Sequence, residues 1–229
     1  MDFGINATEL EVLSGEKQRL KKVSFCLKAG EHAVVTGASG SGKTTLLRVL
    51  AGLHTDYHGE VVYRGEAADR GETTNRGAVS LHKEGSLLLV SPSELLRKHG
   101  LSVLFQENRL LPELSAVENI RIALPKTAKE STAELKEKIR GELARILQGV
   151  DPEKPVRKLS GGEQRRVALA RAMVQDAPVI LLDEPFTGLD AASAELVRLY
   201  ISERGEGRTI LLTEHEGEHF PDWKRIEIK

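Results

Sequence analysis

A glycine-rich turn set between an apolar run and an amphipathic stretch does most to limit how this chain can fold. Glu31-His32-Ala33-Val34-Val35-Thr36 reads as a buried strand, and Gly37-Ala38-Ser39-Gly40-Ser41-Gly42-Lys43-Thr44 follows it directly. Leu46, Leu47, Val49, Leu50 and Leu53 then recur at helical spacing, predicting a helix over residues 44–53. A strand that enters a helix through such a turn is the first half of a βαβ unit, which belongs in a parallel sheet covered by helices. The turn also carries chemistry. Glycines let backbone N–H groups close around phosphate oxygens, while a lysine adds a cation and the next threonine a hydroxyl suited to Mg2+. Gly37, Ala38, Ser39, Gly40, Ser41, Gly42, Lys43, Thr44 and Thr45 are therefore candidate phosphate-binding residues at a helix N-terminus, where the helix dipole favours anions. A ligand-free turn would have to explain Gly, Lys and Thr together at this spacing after a strand. Alone, the pattern means nucleotide binding and no more.

The rest of the chain repeats the alternation of helix and apolar strand. Residues 179–182 are a continuous apolar strand and 209–212 another strand, and residues 160–173 and 191–203 read as helices, so a parallel sheet is expected. Ahead of this core, residues 5–12 and 19–27 form a hairpin pattern around Ser14-Gly15-Glu16-Lys17, and residues 60–64 resemble a further strand. Residues 78–81 and 86–90 read as another hairpin around Lys83-Glu84-Gly85. Ser91-Pro92-Ser93-Glu94 starts a short helix that should run to about His99 and stop at Gly100, before a buried strand over 101–105. From Ser115 to about Gln148 the pattern is helical, in runs carrying Val117, Ile120 and Leu124, then Leu135, Ile139, Leu143, Ile146 and Leu147. Pro125 and residues 126–131 separate the two.

Composition bounds the alternatives. With 229 residues, 40% hydrophobic and 29% charged, the chain can bury a real core, and the absence of repeats points to one domain over 1–229. A net charge of −1 supplies no field of one sign to attract nucleic acid, so no nucleic-acid partner is expected. The single cysteine, Cys26, excludes an internal disulfide and in Val23-Ser24-Phe25-Cys26-Leu27 reads as a buried apolar side chain. No apolar run reaches the roughly 18 residues of a membrane span, and the N-terminus lacks the layout of a signal peptide; a soluble, cytoplasmic chain is expected.

A second run decides between nucleotide-binding classes. Leu159-Ser160-Gly161-Gly162-Glu163-Gln164, followed by Arg165-Arg166-Val167-Ala168-Leu169-Ala170-Arg171-Ala172, resembles the signature of the ATP-binding cassette (ABC) family, and the resemblance extends from about Ile5 to the C-terminus. As bare residues, Ser160 and Glu163 form a capping box ahead of a helix beginning near Arg165, and both readings can hold at once. The resemblance implies an α/β fold of the P-loop NTPase type: a parallel-sheet core with an antiparallel β subdomain, at about 1–106 and 156–229, and a helical subdomain at about 107–155. It also implies ATP and Mg2+ as cofactors. In the family, Ser160, Gly161, Gly162 and Glu163 would cover the nucleotide bound by a second copy or a homologous cassette, making a head-to-tail dimer.

Further positions take their roles from the same resemblance. Val179-Ile180-Leu181-Leu182-Asp183-Glu184-Pro185, with Gly188-Leu189-Asp190 after it, places Asp183 as a Mg2+ ligand, Glu184 as the base for the attacking water, and Asp190 at the dimer interface. Phe105-Gln106-Glu107-Asn108-Arg109-Leu110-Leu111-Pro112, then Leu114-Ser115-Ala116-Val117-Glu118-Asn119, resembles the importer cassettes of the nitrate, sulfonate and taurine group; Gln106 would reach Mg2+ or water and hinge the helical block. Within Thr213-Glu214-His215-Glu216, His215 would contact the terminal phosphate, with His219 the competitor but too far past the strand. The catalytic set is then Lys43, Gln106, Glu184 and His215.

Three features depart from the family pattern. No aromatic stands near Leu13-Ser14 to stack on adenine, leaving Val23 or a residue of the later insertion to substitute. Gln106 stands 63 residues after Lys43, so a lengthened hairpin is expected at about 66–90. The 14 residues after His215 leave room for a closing strand over 223–228 and no regulatory domain. The function expected is ATP hydrolysis by a nucleotide-binding subunit, peripheral on the inner face of the membrane through permease subunits. Import of a small anion or organic solute, with an extracytoplasmic binding protein, is favoured over export or lipoprotein extraction. A DNA-repair ATPase would carry a long coiled coil between the two motifs, and none is present.

Overall fold

The computed structural model describes residues 2–14, 17–66, 87–124, 131–215 and 218–229. They divide into two compact units: Met1–Val103 with Ala177–Asp183 and Glu206–Lys229, and Leu104–Asp176 with Glu184–Gly205.

In the first unit the alternating runs become two sheets. An antiparallel sheet orders β2 (Lys17–Leu27), β1 (Phe3–Ser14), β4 (His58–Glu66) and β5 (Leu87–Val90). A second sheet orders β6 (Leu101–Leu104), β7 (Val179–Asp183), β8 (Thr209–Thr213), β3 (His32–Thr36) and β9 (Lys224–Glu227). Here β7 pairs with β8, and β3 with β8 and β9, all in parallel. The strands β7 and β8 are buried at every position, as expected of parallel strands covered on both faces. The expected parallel core and antiparallel sheet are thus both present. One apolar cluster serves both, joining Ile5, Leu20 and Tyr63 to Val35, Leu46 and Leu181. Hydrogen bonds tie the layers where side chains cross: Tyr63 Oη donates to Leu50 O (2.7 Å), and Thr209 Oγ1 to Phe3 O (2.6 Å).

Helix α1 spans Lys43–Leu50 and is shorter than its hydrophobic spacing predicts. Gly52, at φ +69°, takes the left-handed conformation that ends helices, and Leu53 beyond it is half exposed. Helix α2 (Pro92–Arg97) starts at its Ser91 cap as expected but stops before His99, which has φ +57°. Cys26 is exposed, not buried. On β2 the inward positions are Val23, Phe25 and Leu27, so strand alternation turns Cys26 outward. The strand β5 pairs with β4, Glu66 opposite Leu87, so the two ends of the 67–86 connection lie side by side. That connection, including the expected strand at 78–81 and most of the lengthened hairpin, lies outside the described residues, as do 125–130 of the break between helical runs.

The second unit is helical: α3 (Ala116–Arg121), α4 (Thr132–Ile146), a 3-10 turn at Val156–Lys158, α5 (Gly161–Met173) and α6 (Ala191–Gly205). It is larger than the span 107–155 expected to be the helical subdomain, because α5 and α6 pack with α3 and α4. Ser115, Ser131 and Ser160 each cap the helix that follows, accepting the N–H of a glutamate three residues on. None of the helices among the described residues is long and apolar enough to cross a membrane.

Candidate nucleotide site

The first unit holds the candidate phosphate-binding residues. Strand β3, buried along Ala33-Val34-Val35, delivers the chain to Gly37. A Cβ at Gly37 (φ +157°) would lie 2.5 Å from Ile228 O, and one at Gly42 (φ +102°) only 2.4 Å from Arg19 O. Both ends of the loop therefore require glycine. At Gly40 (φ +80°) a Cβ would meet nothing within 4 Å, so the middle of the loop faces open space. Lys43 is buried, and its Nζ donates to Gly37 O (2.6 Å) and Ala38 O (3.1 Å), holding a cation inside the curl of the loop. Gly42 has no side chain to cap α1, so the first-turn N–H groups keep their pull on an anion.

A carboxylate stands beside this cradle. Thr44 Oγ1 donates to Asp183 Oδ1 (3.3 Å), and Thr213 Oγ1 donates to the same oxygen (2.8 Å). Asp183 is 1% exposed at the end of β7. A hydroxyl and a carboxylate are hard oxygen donors of the kind Mg2+ takes alongside substrate phosphates. No cluster of three or more His, Cys, Asp or Glu among the described residues could hold a metal by itself. These residues therefore fit a Mg2+ ion carried in with phosphates. Beyond β8, Glu214 is buried and His215 exposed. Glu214 Oε1 lies 3.1 Å from His219 Nδ1; burial pushes its carboxyl up, and the histidine opposes that shift. His219 thus partners Glu214.

The second unit holds the other predicted residues. Ser160 N donates to Glu163 Oε2 (2.7 Å) while Ser160 Oγ accepts from Glu163 N (3.3 Å), a complete capping box. Helix α5 therefore begins at Gly161, not near Arg165, and residues 161–164 are its first turn. Gly162 lies against Leu189 and Gly188 O, 3.3 Å and 3.5 Å from where its Cβ would sit. Ser160 and Gly161 are exposed. Glu184 follows β7 at φ +49°; its Oε2 accepts from Thr187 Oγ1 (3.2 Å) and its carbonyl from Thr187 N (3.2 Å). Asp190 accepts from Ser193 N (2.8 Å) and Ser193 Oγ (3.1 Å), which hold its carboxyl below the usual range, and Arg166 Nη1 donates to the same hydroxyl (2.9 Å). Gln106 is exposed, and its carbonyl is gripped from α5.

The family model for ABC transporters matches residues 20–187, spanning the glycine loop, the Ser160 turn and Asp183-Glu184. The chain belongs to the ABC transporter family. Among its ABC relatives, the glucose import ATP-binding protein GlcV of Saccharolobus solfataricus is 37% identical over 88% of this chain and 52% of its own length. The lipoprotein-releasing system ATP-binding protein LolD of Idiomarina loihiensis is 35% identical over 91% and 85%. The aliphatic sulfonates import ATP-binding protein SsuB of Bacillus cereus is 37% identical over 78% and 59%. This ABC chain therefore spans little more than half the length of the two import proteins and most of the lipoprotein-releasing one. A solved dimeric ATP-binding cassette in a post-hydrolysis state, bound to ADP and Pi, matches the fold with TM-score 0.76, covering 98% of this chain and 94% of that one at 24% identity.

Several residues that organise this ABC chain carry little signal in the sequence. Arg165 is buried on α5 and donates to Phe105 O (2.6 Å), Gln106 O (3.1 Å), Asn108 Oδ1 (3.1 Å) and Glu184 O (2.9 Å). Two turns on, Arg171 donates to Asn108 O and Arg109 O, both at 2.7 Å. Asn119 is fully buried and spans the 111–115 turn. The available signal was polarity out of place: Arg165 precedes the apolar Val167-Ala168-Leu169, and Asn119 sits beside Val117 and Ile120.

Proposed function

We propose that this chain is the ATP-hydrolysing, nucleotide-binding subunit of a membrane transporter, working as a head-to-tail dimer on the cytoplasmic side. One observation carries the reading: the Lys43 ammonium lies inside a glycine loop whose next residue, Thr44, meets the buried Asp183 carboxylate. That pairing suits a nucleotide bearing Mg2+. Lys43 and the loop from Gly37 to Thr45 bind the phosphates, and Thr44, Asp183 and Gln106 hold the ion, which neutralises phosphate charge. Glu184, next in the chain to Asp183, orients the attacking water and takes its proton. His215 contacts the terminal phosphate. The exposed turn Ser160-Gly161-Gly162-Glu163 of one copy presents its N–H groups to phosphate held by the other, with Asp190 at that interface.

Permease subunits form the membrane partner, and the helical unit receives them. Import of a small anion or organic solute is favoured by the stretch from Phe105 to Asn119, and SsuB is a sulfonate importer by name. An import system would add an extracytoplasmic binding protein. Lipoprotein extraction is the second reading, favoured by the mutual coverage with LolD, most of whose length this chain spans.

Phosphate release from Mg-ATP by the purified chain tests the ATPase reading. Wild type should turn over, and Lys43→Ala should lose about a hundredfold in kcat/KM or more. Equal rates for the two would refute it. Co-purification with the membrane subunit, and the solute that subunit moves, separates import from extraction.

A further inference from the structure

Two features of the second unit meet at one side chain that the chemistry above does not use. Arg165 is 4% exposed, and its guanidinium is aimed away from solvent at four oxygens, three of them main-chain carbonyls. Burying a charge is costly unless it is fully hydrogen-bonded, so such a side chain fixes the backbone it touches. The second feature is Glu184, a non-glycine residue at φ +49°. A left-handed backbone at such a residue persists only where its surroundings enforce it, and it sets where the carboxylate points. Glu184 O accepts from Arg165 Nη2 at 2.9 Å and from Thr187 N at 3.2 Å, so the arginine binds the peptide whose conformation is strained.

The other arm reaches a second loop. Phe105 and Gln106, which present their carbonyls to Nη1, leave β6, while Glu184 leaves β7, the neighbouring strand of the sheet. Arg165 itself lies on the first turns of α5, two residues after the Glu163 that completes the Ser160 capping box. One planar group therefore holds three elements in fixed relation: the segment bearing Gln106, the peptide bearing Glu184, and the helix turn bearing Ser160. The rigid fork of arginine suits this; a lysine ammonium would have to serve acceptors on two loops from a single atom.

We propose that Arg165 is a positioning residue that links the Ser160 turn to the Glu184 base, so that the placement of α5 sets the aim of the carboxylate within the same subunit. The inference rests on the proposed role of Glu184 in hydrolysis. Arg165 touches no reacting atom; its removal misdirects the base and leaves the Lys43 loop intact. Hydrolysis should therefore fall while nucleotide binding holds.

The test measures ATPase kinetics, ATP binding and amide exchange for wild type, Glu184→Gln, Arg165→Ala and Arg165→Lys. Arg165→Ala should lower kcat about tenfold or more, with KM for ATP and nucleotide affinity changed less than about threefold. Arg165→Lys should recover part of that loss, and the Thr187 amide, which donates to Glu184 O, should exchange faster in both variants. Should Arg165→Ala fail to fold, Arg165→Lys decides the question through the same split between kcat and KM and the same amide. If wild type hydrolyses ATP and Glu184→Gln does not, yet both arginine variants keep wild-type kcat or lose affinity as much as rate, the link is wrong and the ATPase reading stands. If wild type and Glu184→Gln turn over alike, the reading beneath it fails.

Discussion

Asn119 offers the sharpest energetic test of how the segment after Gln106 is held. The residue lies on α3 with no exposed surface. Its Oδ1 accepts from Leu111 N (2.7 Å), and its Nδ2 points at Leu111 O (3.1 Å), Leu114 O (3.3 Å) and Ser115 O (3.0 Å). Two amide hydrogens cannot make three full bonds, and Ser115 O also accepts from Asn119 N within the helix (2.9 Å). The side chain thus makes about three effective bonds, each contributing roughly 1 kcal/mol net. Asn119→Ala should therefore cost about 3 kcal/mol, with water entering the vacated space limiting any larger loss. Urea unfolding of the purified chain would report the change, and the Leu111 amide should lose protection from exchange. Asn119→Asp keeps the acceptor but turns an oxygen toward the carbonyls, and should cost at least as much. A loss under about 1 kcal/mol for the alanine variant, or a wild-type midpoint for the aspartate, would show that these bonds do not hold the 111–115 turn.

Other expectations follow from single contacts. Ser160→Arg should abolish ATPase while the isolated subunit still binds nucleotide, measured by fluorescence titration; equal loss of both would argue against a site shared between copies. Gly42→Ala forces a Cβ to within 2.4 Å of Arg19 O at φ +102°, so nucleotide affinity should drop and the thermal midpoint should fall; wild-type values for both would show that the loop can yield. Asp190 should titrate below its ordinary 3.8, because Ser193 donates to its charged form. The stability it supplies is present above that unfolded value and lost as pH falls through the lower folded one. Carboxylate NMR would settle the sign, and a midpoint at or above 3.8 would contradict it.

Period and capping made the elements legible before the structure. The runs at 179–182 and 209–212 are strands buried at every side chain, and Ser91, Ser115 and Ser160 start helices because each offers an oxygen to a glutamate N–H. Spacing misled where a backbone conformation intervened: Leu53 continues the pattern of α1, but Gly52 has already turned the chain. Cys26 misled because an apolar neighbourhood in sequence straddles both faces of a strand. The glycine loop was readable because its geometry excludes other residues at Gly37 and Gly42. Arg165 was not, since its acceptors are carbonyls, which every residue has, on loops 60 and 19 positions away.

The proposed ATP hydrolysis uses Glu184 as base, in a site completed by the Ser160 turn of a second copy. Size exclusion of Glu184→Gln with and without Mg-ATP, paired with its turnover rate, addresses both parts together. The expected result is a stable dimer that forms only with ATP and hydrolyses it at a small fraction of the wild-type rate. A variant that stays monomeric in ATP and turns over like wild type would contradict it.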